Sequence, residues 1–136
     1  MIFPIASPML VYAKFKGPNG LRRELRTLVR PGAPYCMIDR DDAARMGYPQ
    51  ALLEPGPMQY EMRNASVPLI STAMGFIEGP LFTFPEISLG ALSVKDVKIL
   101  CYDLPDATHI DAVLGETFLR NFSVSFDYQR QEVRIE

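Results

Sequence analysis

Apolar and polar residues alternate with a period of two along much of this chain, a pattern that predicts strands. From Met9 to Lys16 (MLVYAKFK), Val11, Ala13 and Phe15 fall on one face. Gly17-Pro18-Asn19-Gly20 supplies turn chemistry, and Glu24 to Val29 (ELRTLV) returns as the second strand of a hairpin. The cleanest alternation runs from Phe122 to Tyr128, with Phe122, Val124, Phe126 and Tyr128 on one face and Ser123, Ser125 and Asp127 on the other. Gln129-Arg130-Gln131 turns the chain into Glu132 to Glu136, where Val133 and Ile135 alternate with charges. Val94 to Tyr102 is a further predicted strand, with Val97, Ile99 and Cys101 in step, and Tyr35 to Ile38 is a short apolar one.

Helix signals are few. Asp39 can cap a helix from about Arg40 to Met46, with Asp41 and Asp42 in its first turn, Arg45 in its last and Gly47 just beyond. A second short helix covers Glu116 to Arg120, directly after Gly115. Pro49 to Val67 has no clear period and reads as loop or a loosely held hairpin. Many short strands with one or two short helices predict an all-β fold, a closed small barrel.

Length and composition narrow the picture. A chain of 136 residues is one domain, 1–136, and its 48% hydrophobic and 22% charged residues are those of a globular protein. A net charge of -2 with no basic block gives no footprint for nucleic acid. No apolar run approaches a membrane span, and Met1 to Ile5 shows no basic n-region, so the cytoplasm is the expected location. Two cysteines, Cys36 and Cys101, read as reduced buried thiols, and with one histidine they leave no metal site or cofactor to expect.

Two segments carry a more specific signal. The first is Leu28-Val29-Arg30-Pro31-Gly32-Ala33-Pro34-Tyr35-Cys36-Met37-Ile38, followed by the capped helix ending at Met46-Gly47-Tyr48. It resembles the retropepsin-like aspartic protease pattern of two apolar residues, Asp-Thr/Ser-Gly-Ala, an apolar strand and a helix ending in Leu-Gly. The second, Ile110 to Leu119 (IDAVLGETFL), resembles the later apolar-apolar-Gly segment that closes the second half of that fold. The tail from Phe122 to Ile135 is similar to the closing hairpin of bacterial and cellular retropepsin-like domains, including that of ubiquitin-shuttle proteins. The resemblance implies a retropepsin-like acid protease barrel and a homodimer with one half-site per subunit. It also implies a flap within about 58–79 and an extended peptide in the cleft between them. Pro34, Tyr35, Met74, Gly75 and Val113 are the peptide-contacting residues it suggests, and the chain termini from Met1 to Pro8 would take part in the dimer.

The catalytic triplet is where the chain departs from that pattern. Aspartic proteolysis needs two carboxylates sharing one proton, one from each subunit. The position is Arg30 here, whose guanidinium stays protonated and can serve as neither acid nor base. Pro31 brings neither hydroxyl nor amide hydrogen to the next position, while Gly32 and Ala33 persist. Two Arg30 side chains about 4 Å apart at an effective dielectric of about 20 repel by roughly 4 kcal/mol, so they must splay, bind an anion or find an acid. Glu116 is one candidate partner.

Other acids do not replace the missing one. Asp39, Asp41 and Asp42 read as cap and dipole partners, Asp111 as the start of a strand, and Asp127 as solvent-facing. A Cys36–His109 pair is the thiol alternative, with Cys36 reading more simply as a small hydrophobe in its strand. The expectation is an inactive retropepsin-like homologue serving as a dimerisation or peptide-binding module; the alternative is an active aspartic endopeptidase.

Overall fold

The computed structural model describes residues 1–6, 9–52, 69–72, 75–78, 80–104 and 109–136. Its strands are β1 (Ile2–Pro4), β2 (Leu10–Lys16), β3 (Arg22–Val29), β4 (Cys36–Asp39), β5 (Leu69–Thr72), β6 (Gly75–Glu78), β7 (Leu81–Leu89), β8 (Leu92–Tyr102), β9 (Ala112–Leu114), β10 (Val124–Asp127) and β11 (Glu132–Ile135). Two short helices, α1 (Arg40–Arg45) and α2 (Glu116–Leu119), and a 3₁₀ turn at Pro49–Leu52 complete the described elements. The strands β2-β3-β9-β4-β8-β7 close a barrel, β1-β11-β10 form a three-stranded sheet, and β5-β6 form a separate hairpin. The fold is therefore all-β and closed, as the alternation predicts.

Period two decides what the barrel encloses. Val11, Ala13 and Phe15 of β2 are buried with Leu25 and Val29 of β3, and Val97, Ile99 and Cys101 of β8 join them. Thr27 is the polar member of this interior, and its hydroxyl donates to the Leu25 carbonyl at 2.9 Å. Phe118 of α2 closes one side of the core and tilts against Phe122 at 5.2 Å between ring centroids. Tyr48 stacks on Phe82 at 4.6 Å, and its hydroxyl donates to the Thr83 carbonyl.

One strand escapes the sequence pattern. β7 contains Pro85, which ordinarily argues against an interior strand because it cannot donate to a ladder. Its register shows how the chain accommodates it: Phe84 pairs with Val97 and Glu86 with Lys95, leaving Pro85 opposite Asp96, whose φ is 54°. The positive φ at Asp96 marks a local irregularity in β8 opposite the proline.

Helix α1 starts as its sequence dictates. The Asp39 carboxylate accepts from the Asp41 amide at 3.2 Å, and its other oxygen accepts from the Leu104 amide at 3.1 Å. Gly47 follows the helix with φ 115°. Asp39 thus caps the helix and ties down the end of β8 together. Asp39→Ala should lower stability by about 1–2 kcal/mol, at the upper end for a cap because two amides lose their acceptor. Urea unfolding checks this, and an unchanged midpoint would refute the double role.

Candidate functional site

The segment between β3 and β4 is a tight turn pinned from the far side of the sequence. Val29 ends β3 in parallel register with Leu114 of β9, which carries the Arg30 amide directly onto the Leu114 carbonyl at 3.0 Å. The Ala33 amide then donates to the Arg30 carbonyl at 3.0 Å, and the Glu116 amide donates to the Ala33 carbonyl at 2.7 Å. Gly115 lies between these two anchors. A Cβ there would stand 2.4 Å from the Tyr35 carbonyl oxygen and 2.8 Å from that of Ala33, so only glycine fits. Gly32, in contrast, meets nothing within 4 Å, and the turn itself makes no demand for glycine there.

Behind the turn lies a buried polar bridge. The Cys36 amide donates to the Thr117 hydroxyl at 2.9 Å, and that hydroxyl donates to the Lys98 carbonyl at 2.9 Å. The Gly115 amide points at the Cys36 sulfur at 3.3 Å. One threonine side chain therefore joins β4, α2 and β8. Burial pushes the Cys36 thiol above its ordinary value, outweighing the hydrogen bonds from Thr117 and Gly115 that pull it down. Burial likewise raises Cys101. Both cysteines are free and buried, and His109 is exposed with φ 54°, so Cys36 is a core thiol rather than an activated nucleophile.

The opposite face of the same strands carries a second apolar layer, buried at Val113, Leu100 and Leu81. Residues paired across a sheet share a face. Leu10 pairs with Leu28, Leu28 with Val113, Val113 with Met37, Met37 with Leu100, and Leu100 with Leu81. This row crosses β2, β3, β9, β4, β8 and β7 on the outside of the barrel, one residue out of step with the core. Leu81 and Leu100 form their own buried cluster, with Tyr35 and Met37 packed against it. By alternation Lys98 precedes Leu100 on this face.

The residues singled out from sequence fall as follows. Arg30, Pro31, Gly32 and Pro34 are exposed on the turn, and Ala33 and Tyr35 are half-buried beside the apolar row. Val113 lies within that row, and Gly75 opens β6. Met74 lies outside the described residues, as do 58–68, 73 and 79 of the expected flap. Glu116 meets the turn through its amide, and no ion pair joins its carboxylate to Arg30 within the chain. Pattern reading missed Leu28, Met37, Leu81, Leu100 and Lys98. Their signal is the ladder register, which becomes legible only once the strands are paired.

The aspartates take structural work. Asp39 caps α1, and Asp111 accepts the Arg26 amide at 3.3 Å. Asp42 is buried and faces Arg23 at 3.4 Å and Arg45 at 3.6 Å. Burial raises its carboxyl above the usual 3.8; Arg23 opposes this, Asp111 and Asp39 add to it, and Arg45 opposes. The folded chain then holds this proton more readily than the unfolded chain, so stability falls as pH rises through the interval above 3.8. Relative to Asp42→Asn, the natural chain should lose unfolding free energy as pH rises above 3.8. Parallel urea titrations of the two proteins from acid to neutral pH measure the difference, and a constant gap would contradict the raised carboxyl.

Among the described residues no group of three His, Cys, Asp or Glu side chains is placed to hold a metal, and no helix is long and apolar enough to cross a membrane. No protein-family model matches this chain, and no curated protein matches it. Solved structures do. A retropepsin-like aspartic protease from Rickettsia conorii is similar with a TM-score of 0.63 at 15% identity, over 99% of this chain and 88% of that one. The retroviral protease-like domain of Ddi1 from Leishmania major is similar with a TM-score of 0.51 at 14% identity, over 94% of this chain and 87% of that one. At these identities the likeness is one of fold, and the fold is retropepsin-like.

Proposed function

We propose that this chain is a catalytically inactive retropepsin-like domain that dimerises and holds an extended peptide without cutting it. Arg30 carries the proposal. The turn is pinned by β9 and α2, yet the residue that follows β3 is a permanent cation, itself followed by a proline. Between Arg30 and Tyr35 there is no carboxyl group to activate water or protonate a carbonyl. The buried, deactivated Cys36 offers no substitute.

In this reading the half-buried Leu28, Tyr35 and Met37, beside the exposed turn, line the cleft, with the β5–β6 hairpin as the flap. Gly32 fits this reading. Nothing inside the chain crowds it, so a glycine there serves close approach of a ligand or a second subunit to the backbone.

The terminal sheet offers the dimer edge. β1 pairs in its own chain with β11, in the register Ile2 to Arg134 and Phe3 to Val133. Its outer side is blunted by Pro4, which has no amide to give. β10 is the open edge. Ser123 exchanges both backbone bonds with Glu136, so alternation turns the amides and carbonyls of Val124 and Phe126 outward. Two-fold pairing about Ser125 would set Val124 against Phe126 of a second copy and Asp127 against Ser123, with no like charges apposed.

Incubating the purified protein with casein or a peptide library at about pH 4 to about pH 7, with and without pepstatin, tests the reading across the range where a carboxylate pair works. Every peptide is expected to be recovered intact. Pepstatin-sensitive cleavage would establish the endopeptidase alternative instead.

A further inference from the structure

Large exposed apolar side chains gather at the terminal sheet. Met1, Ile2, Phe126 and Tyr128 are exposed there, against Tyr12 and Leu21 elsewhere among the described residues. Phe122, Val124, Phe126 and Tyr128 alternate along β10 and its flanks, and the barrel covers them unevenly. Phe122 and Val124 pack against the core. Phe126 is 41% exposed and Tyr128 71%, and their rings stack on each other at 6.4 Å between centroids. Two seated apolar side chains are thus followed by two that overhang, on a strand whose outer edge is open.

We propose that two copies of this chain join through β10, their three-stranded sheets merging in the order β1-β11-β10-β10-β11-β1, with Phe126 and Tyr128 as the anchors of the joint. Backbone parity restricts the registers, because the bonds across the joint come from the outward amides and carbonyls of Val124 and Phe126. A two-fold axis at Ser125 lays each overhanging ring against a seated side chain of the other copy, Phe126 on Val124 and Tyr128 toward Phe122. An axis at Val124 would set Tyr128 against Arg120, and an axis at Phe126 would set Phe122 against Arg130. Only the Ser125 axis matches all four apolar positions. In this arrangement β1 lies at the far edges of the merged sheet and not at the joint, in contrast to the N-terminal contact that the sequence resemblance implies. The inference rests on the dimerisation reading above and adds the surface and the register to it.

Disulfide trapping of cysteine variants, beside sedimentation equilibrium of the natural chain, separates the two claims. Both native cysteines are buried and do not compete, and Ser123, Ser125 and Asp127 are exposed. Ser125→Cys places a thiol on the axis, opposite its own copy in a non-hydrogen-bonded pair with Cα atoms about 4.5 Å apart, within reach of a disulfide. Mild oxidation should convert most of it to a covalent dimer. Ser123→Cys lies about 13 Å along the strand from its own copy and should stay unlinked alone, but should link when mixed with Asp127→Cys. Tyr128→Ser should weaken the dimer about tenfold. A dimeric chain in which Ser125→Cys stays unlinked, or Ser123→Cys links alone as readily, overturns the β10 joint and leaves dimerisation standing. Unchanged dimer affinity in Tyr128→Ser overturns the aromatic anchors. A natural chain still monomeric at about 0.1 mM overturns both the joint and the dimer.

Discussion

Replacing Gly115 with alanine should destabilise the chain by about 3 kcal/mol or more, one of the largest single-site losses it can suffer. The added methyl would meet two backbone carbonyl oxygens, of Tyr35 and Ala33, at separations real Cβ atoms do not show. Neither can swing aside as a flexible side chain would. Moving them breaks the Glu116 amide bond to Ala33 and displaces Cys36 from Thr117, so several buried groups lose partners together. Gly32→Ala is the control, because the same methyl there enters open space and should change stability by less than about 0.5 kcal/mol. Urea unfolding of both variants decides it. Comparable losses at the two positions would mean that the turn is not pinned by β9 and α2.

That contrast shows how unevenly the site was legible. The strands with clean alternation were predictable because one face fills the barrel, as in β2 and β8, whereas β10, the cleanest alternation of all, lies in the terminal sheet outside the barrel with Phe126 and Tyr128 exposed. The cap at Asp39 and the end at Gly47 were legible because both are local. β7 was not, since Pro85 reads as a breaker until Asp96 is found opposite it in an irregular ladder. β1 has only three residues, too few to show a period, and takes its existence from β11 at the other end of the chain.

The turn from Arg30 to Ala33 was visible as a motif, but its support was not. Glu116 drew attention for its carboxylate, while the structure uses its amide. The apolar row was hidden for a different reason. In β8, assigning Val97, Ile99 and Cys101 to the core leaves Lys98 and Leu100 looking like a solvent face. Only the partners Met37 and Leu81 reveal that this face is apolar across several strands. Asp42 carries the same lesson, since its place in the first helical turn suggested a dipole partner, and its carboxylate is also buried beside the exposed Arg23.

The second large effect is a gain of function. Arg30→Asp with Pro31→Thr restores a carboxylate and a hydroxyl on a turn whose anchors at Leu114, Ala33 and Glu116 are already in place. In a dimer the two new aspartates would share one proton, which separates their pKa values and supplies both a base for water and an acid for the carbonyl. Positioned acid–base groups are worth about 10²–10⁴ in rate, so even a cleft adapted to another use should give measurable turnover. Arg30→Asn with Pro31→Thr removes the same cations without supplying a titratable group and should remain inert.

The decisive measurement is the rate of peptide cleavage by the Arg30→Asp, Pro31→Thr double variant across the acid range, beside the natural chain and the Asn variant. Pepstatin-sensitive cleavage by the Asp variant alone is the result expected of a retropepsin-like half-site that has lost only its carboxylate chemistry. Pepstatin-sensitive cleavage by the natural chain, or a folded and dimeric Asp variant that cuts nothing, would contradict it.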